Sequence, residues 1–134
     1  MASPRMIGNP VLQAESGLND LYLKVAIGAS GAPTIDTNIK REVSAITRLS
    51  AGKYRIALRE SWTDLMAFSV HTVDDDSAAT DGTVLRAVTL VTLGATSAPV
   101  IEFLMTAGAD GAAADPKNGA VLRICMRLQN GMRV

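Results

Sequence analysis

Aromatic residues are scarce in this chain: two Tyr, two Phe and one Trp make up 4% of its 134 residues. A core with so few rings must be aliphatic, and the 48% apolar content supplies Val, Leu, Ile, Met and Ala to build it. Cysteine occurs once, at Cys125, so no intrachain disulfide can form, in keeping with folding in a reducing compartment. An isolated strand cysteine is ordinarily a small buried apolar side chain. Histidine also occurs once, at His71, which excludes a multi-histidine metal centre. A lone strand histidine is ordinarily partly exposed and structural. An excess of either charge is missing as well, with 13 basic residues against 13 acidic. Binding a phosphate backbone needs clustered Lys and Arg, so no nucleic-acid partner is expected. Near-neutrality also does little to keep copies apart, which suits a protein made to assemble. No apolar run approaches the roughly 20 residues of a membrane helix, and residues 1–19 lack the apolar stretch of a signal peptide. A soluble chain without a membrane partner is the expectation.

What is present is regular punctuation. Residues 1–20, with Pro4, Gly8, Pro10 and Gly17, have no sustained period and read as an extended N-terminal arm. Met6, Ile7, Val11 and Leu12 favour an arm pinned on a neighbouring subunit. Residues 21–134 then read as one β domain. Alternation marks strands at 21–27, 43–48, 53–59, 66–73, 83–93, 99–106 and 120–129. The clearest is 53–59, where Tyr54, Ile56 and Leu58 share one face while Lys53, Arg55 and Arg59 share the other. In 43–48, Val43, Ala45 and Thr47 are expected opposite Ser44, Ile46 and Arg48. Residues 28–33 read as a loop, 60–65 as a helical turn or loop, and 107–118 as a long flexible loop of small residues. Seven to eight strands with turns every ten to fifteen residues predict an all-β fold, an antiparallel β-sandwich or jelly roll.

Chemistry leaves little trace. Asp74, Asp75 and Asp76 offer oxygens to a hard cation, but without the spaced ligands and glycine of a calcium loop they read as a solvated, self-repelling run. Asp110 and Asp115 are expected to cap turns. The small-residue stretch 28–32 is followed neither by Gly-Lys-Ser/Thr nor by a helix, so it is no phosphate loop. No nucleophile elbow, zinc-protease motif or Cys-x-x-Cys occurs. No catalytic residue, cofactor or metal site is expected, and the chain does not read as an enzyme. Arg48, Arg55, Arg59, Arg123 and Arg127 lie in strands among apolar residues. They read either as the solvent face of a sheet or as ion-pairing groups across subunits, with Glu42, Glu60 and Glu102 as possible partners. Arg55 and Arg59 join the four arm residues as candidate partner-binding positions.

Three segments carry a likeness. They are Gly31-Ala32-Pro33-Thr34, an Ile-Thr-Arg-x-x-x-Gly-x-Tyr-x-Ile-x-Leu stretch at 46–58, and an Asp-Pro-x-x-Gly ending that runs from Asp115 to Asn130. On these the chain resembles small virion proteins of tailed bacteriophages; a glycine turn before Tyr also occurs in trimeric C1q-like and TNF-like jelly rolls. The resemblance implies a capsid decoration (cement) protein, a homotrimer seated on the major capsid protein at the virion surface and made in the host cytoplasm. It carries over no catalytic residue. Two alternatives stay open: a tail, head–tail junction or fibre-associated virion protein, and a carbohydrate-binding module.

Overall fold

The computed structural model describes residues 18–36, 43–75, 82–94 and 99–129. Among them the chain forms strands β1 (Leu18–Ile27), β2 (Pro33–Ile35), β3 (Val43–Ser50), β4 (Lys53–Leu58), β5 (Asp64–Val73), β6 (Thr83–Thr92), β7 (Val100–Ala107) and β8 (Val121–Gln129). A single 3-10 turn at Ala29–Gly31 separates β1 from β2. The strands build two four-stranded sheets, ordered β2-β1-β8-β5 and β3-β4-β7-β6, and every pairing is antiparallel. This is a β-sandwich. No helix among the described residues is long and apolar enough to cross a membrane.

The sheets form because period-two sequences present one apolar face each. In β4, Tyr54, Ile56 and Leu58 are buried; in β8, Leu122, Ile124, Met126 and Leu128 are. With Val25, Ile101, Phe103 and Met105 they make one aliphatic core between the layers. The few rings are concentrated in it. Phe103 stacks on Tyr54 at 5.7 Å between centroids and meets Phe68 of the opposite sheet at 5.4 Å.

Bulges break the simple alternation. The register shifts between Val43 and Ala45, so Ile46, rather than Ala45, packs on the core beyond Val43. One extra residue reverses which side chains face in. A shift between Leu65 and Ala67 likewise lets Leu65 and Phe68 both reach the core and leaves Met66 outside. β2 begins at Pro33, the last residue of the stretch that reads as a loop, and is only three residues long. Strand β1 begins at Leu18, within the stretch read as arm. Residues 60–65 form no helical turn, and β5 starts at Asp64.

Register places β1–β2, β3–β4, β5–β6 and β7–β8 turns at one end of the sandwich. The start of β1, the end of β8 and the start of β5 meet at the other, where Leu18 and Asp64 both lie opposite Gln129. Leu18, the first described residue, therefore lies at the end away from those connections.

Candidate interaction surface

The turn end is sealed by carboxylates. Asp115 Oδ1 accepts from the Gly52 backbone N–H at 2.9 Å and from Arg48 Nε at 3.0 Å, and Arg48 Nη2 reaches Oδ2 at 2.9 Å. The Tyr54 hydroxyl, shared with Asp115 at 3.3 Å, donates to Gly31 O at 2.9 Å. Burial pushes the Asp115 carboxyl up, but hydrogen bonds from Arg48, Gly52 and Tyr54 and the Arg48 charge outweigh it and hold the group below its ordinary value. Burial, reinforced by the nearby Asp115 charge, pushes the Tyr54 phenol well above its usual range. Asp75 closes the same end. It is 8% exposed and accepts from the Thr83 N–H, the Thr83 hydroxyl and the Lys117 N–H. Asp75 is thus a buried structural acceptor and not part of a solvated run; Asp76 lies outside the described residues. Asp110 caps a turn by accepting from the Ala112 N–H at 3.0 Å. The 107–118 segment is tied down as well, through Ala107 N–H to Ala112 O and Ala114 N–H to Met105 O. Small residues permit this close packing, because Gly52 lies at φ +74° against the Ala114 backbone.

Among the described residues, no group of three or more His, Cys, Asp or Glu is placed to hold a metal ion. The features that can contact another molecule lie on the sheet faces and edges. On the outward face of the β3-β4-β7-β6 sheet, Arg55 grips the Glu102 carboxylate through Nε (2.8 Å) and Nη2 (2.6 Å). Arg55 and Glu102 are cross-strand neighbours. This expected partner-binding arginine is therefore committed within its own chain, to one of the three acids considered as partners for it. Arg59, just beyond β4, is exposed and has no ion pair among the described residues. Met6, Ile7, Val11 and Leu12 lie outside the described residues, as does Glu42.

The outward face of the other sheet reads as a grid. Successive rows across β1, β8 and β5 are Asp20–Arg127–Ala67, Tyr22–Cys125–Ser69 and Lys24–Arg123–His71. Arg127 and Asp20 are paired at 2.6 Å, and that hydrogen bond holds the Asp20 carboxyl below its ordinary value. Beside them lies a shallow depression lined by Ala67, Ser69, Cys125 and Tyr22, and Tyr22 is 63% exposed. Cys125 is half-buried on this face and not in the core, because β8 turns its alternate residues outward.

The third surface is the side where edge strands β5 and β6 adjoin, linked by the Thr72 hydroxyl to Thr83 O. Met66 and Val73 of β5 and Val84, Leu90 and Val91 of β6 are exposed; Val73 lies in register with Val121 on the outward face of one sheet, and Val84 and Leu90 with Thr106 and Glu102 on the outward face of the other. Alternation in the sequence does not reveal that β5 and β6 are edge strands of two different sheets. No family model, curated protein or solved structure matches this chain.

Proposed function

We propose that this chain is a non-catalytic structural protein of a virion, which binds the outer surface of a phage capsid as a decoration protein and assembles with copies of itself, as a homotrimer. The observation that carries the reading is the exposure of large apolar side chains on the edge strands β5 and β6, foremost Val84 and Leu90, which share the outward face of one sheet. Edge strands are ordinarily guarded by charge, proline or burial, because their unpaired backbone groups template association. Here the two neighbouring edges instead expose Met66, Val73, Val84, Leu90 and Val91. Covering such side chains contributes about 25 cal/mol per Å² of apolar surface removed from water. A second copy supplies that cover repeatedly around a closed ring. Linking three weak capsid contacts in one trimer raises the net affinity through effective concentration, without any new contact.

The resemblance to small phage virion proteins supplies the capsid as the partner. A carbohydrate-binding role has less support: Tyr54, Phe68 and Phe103 are spent on the core, and Tyr22 is the one ring that stands well exposed among the described residues.

Light scattering on the purified chain tests the self-association. The wild type is expected at a trimer mass, three times 14.0 kDa. The Val84→Lys/Leu90→Lys variant is expected at a monomer mass with an unchanged far-UV spectrum. A monomeric wild type at tens of micromolar, or a variant as trimeric as the parent, overturns the reading.

A further inference from the structure

Charges in the described strands are mostly matched. Arg48 pairs with Asp115, Arg55 with Glu102 and Arg127 with Asp20. Asp64 of β5 and Arg86 of β6 stand singly without an ion pair among the described residues, whereas Lys24, Arg123 and His71 stand in one row. Arg123 is the cross-strand neighbour of Lys24 on one side and of His71 on the other, so three basic side chains stand abreast on one face. Arg123 and His71 are exposed and Lys24 is half-buried. None of the three has an acidic partner among the described residues. The adjoining rows, Tyr22–Cys125–Ser69 and Ala26–Val121–Val73, are uncharged. Asp36 stands next to Lys24 on the β2 side, donating its backbone N–H to Lys24 O at 3.0 Å, and has a partner of its own; the basic row therefore runs from Lys24 towards β5.

Like charges directly opposite each other on a sheet are destabilising. In a chain whose charges balance overall, the row is not a by-product of general basicity. We infer that this face is a docking surface for an acidic segment of a partner protein, whose carboxylates seat on Lys24, Arg123 and His71. Neighbouring strands lie about 4.8 Å apart, so the row spans roughly 10 Å. Carboxylates three or four residues apart on a helix are spaced by about 5–6 Å, which matches the row when the helix crosses the strands. Arg123 offers a planar fork of donors, Lys24 a point charge, and His71 a ring N–H in either protonation state. The exposed Tyr22 ring and the depression beside it then receive the apolar side chains that flank the acids. A nucleic acid fits less well, since three basic groups bordered by uncharged rows do not make a track for a phosphate backbone.

The inference stands on residues other than Val84 and Leu90 and is tested apart from them. The full chain is titrated at low salt with a helical peptide carrying Glu at i and i+4, followed by amide NMR shifts. Shifts are expected around Tyr22, Lys24, Ser69, His71 and Arg123. The Lys24→Ser/Arg123→Ser variant is expected to bind about tenfold more weakly, and Arg86→Ser to bind like the parent. The double variant is also expected to melt no lower than wild type, because it relieves repulsion, so weakened binding is not lost folding. The Val84→Lys/Leu90→Lys chain is expected to bind the peptide as the parent does. Absence of binding at millimolar peptide, shifts on another face, unchanged affinity in the double variant, or tighter binding of a DNA duplex than of the peptide overturns the inference.

Discussion

Replacing Asp115 with Ala removes the acceptor on which the turn end converges. The Gly52 N–H loses a charged partner at 2.9 Å, and the Tyr54 hydroxyl keeps only Gly31 O. A hydrogen bond to a charged group contributes about 1.5–3 kcal/mol, and a part-buried donor left without a partner carries much of its desolvation cost. The Arg48 ion pair adds little, because its side chains are 34% and 21% exposed and water screens them. The expected loss for Asp115→Ala is therefore about 2–4 kcal/mol, carried by Gly52 and Tyr54 rather than by Arg48. With a urea slope of roughly 1.5 kcal/mol per molar, the midpoint falls by about 1–3 M. Asp115→Asn, which keeps an oxygen for the Gly52 N–H, recovers part of this. Arg48→Ala leaves the midpoint close to wild type. Urea unfolding of the three variants decides the matter. If Arg48→Ala proves as costly as Asp115→Ala, or if Asp115→Ala costs under about 0.5 kcal/mol, the argument from burial and backbone satisfaction is wrong.

Two further outcomes follow from the same end of the molecule. Gly52→Ala forces an L side chain into left-handed backbone and drives a Cβ against Met105 O and to 2.8 Å from Ala114 N. The strain of roughly 1–2 kcal/mol and a forced shift of about 1–3 kcal/mol together predict a loss of about 2–5 kcal/mol by urea unfolding; a loss below 1 kcal/mol on the same scale contradicts the packing described. Because the folded Asp115 carboxyl lies below its unfolded value, the folded state binds fewer protons there. Its contribution is complete above the unfolded carboxyl value near about 4 and is lost as pH falls through the folded one. The melting gap between wild type and Asp115→Asn should therefore narrow between pH 5 and pH 2.5, and a gap that widens on acidification reverses the sign and refutes it.

The strands were legible in the sequence because they obey a period of two, and β4 and β8 show inward and outward sets as alternation alone predicts. What alternation cannot show is a bulge. Ile46 took the inward place expected for Ala45 because one inserted residue reverses the parity of β3. Strand β2 was hidden by its length and by Pro33. The charged clusters were hidden by distance: Arg48 and Asp115 are 67 residues apart, and Asp75 and Lys117 are 42 apart. Asp75 reads as solvated in the sequence because nothing near it there foretells the three donors that surround it. Lys24, His71 and Arg123 were each readable as outward strand positions. That they stand in one row depends on the order β1-β8-β5, which no local signal encodes.

The proposed role on a phage capsid is tested most directly by counting copies of this chain in purified phage particles. A shell protein is expected at hundreds of copies per particle (an order of magnitude set by shell symmetry), released as trimers when the capsid is dissociated. A count of about three, six or twelve places the chain in a ring at the tail or portal instead, and its absence from the particle contradicts the structural role altogether.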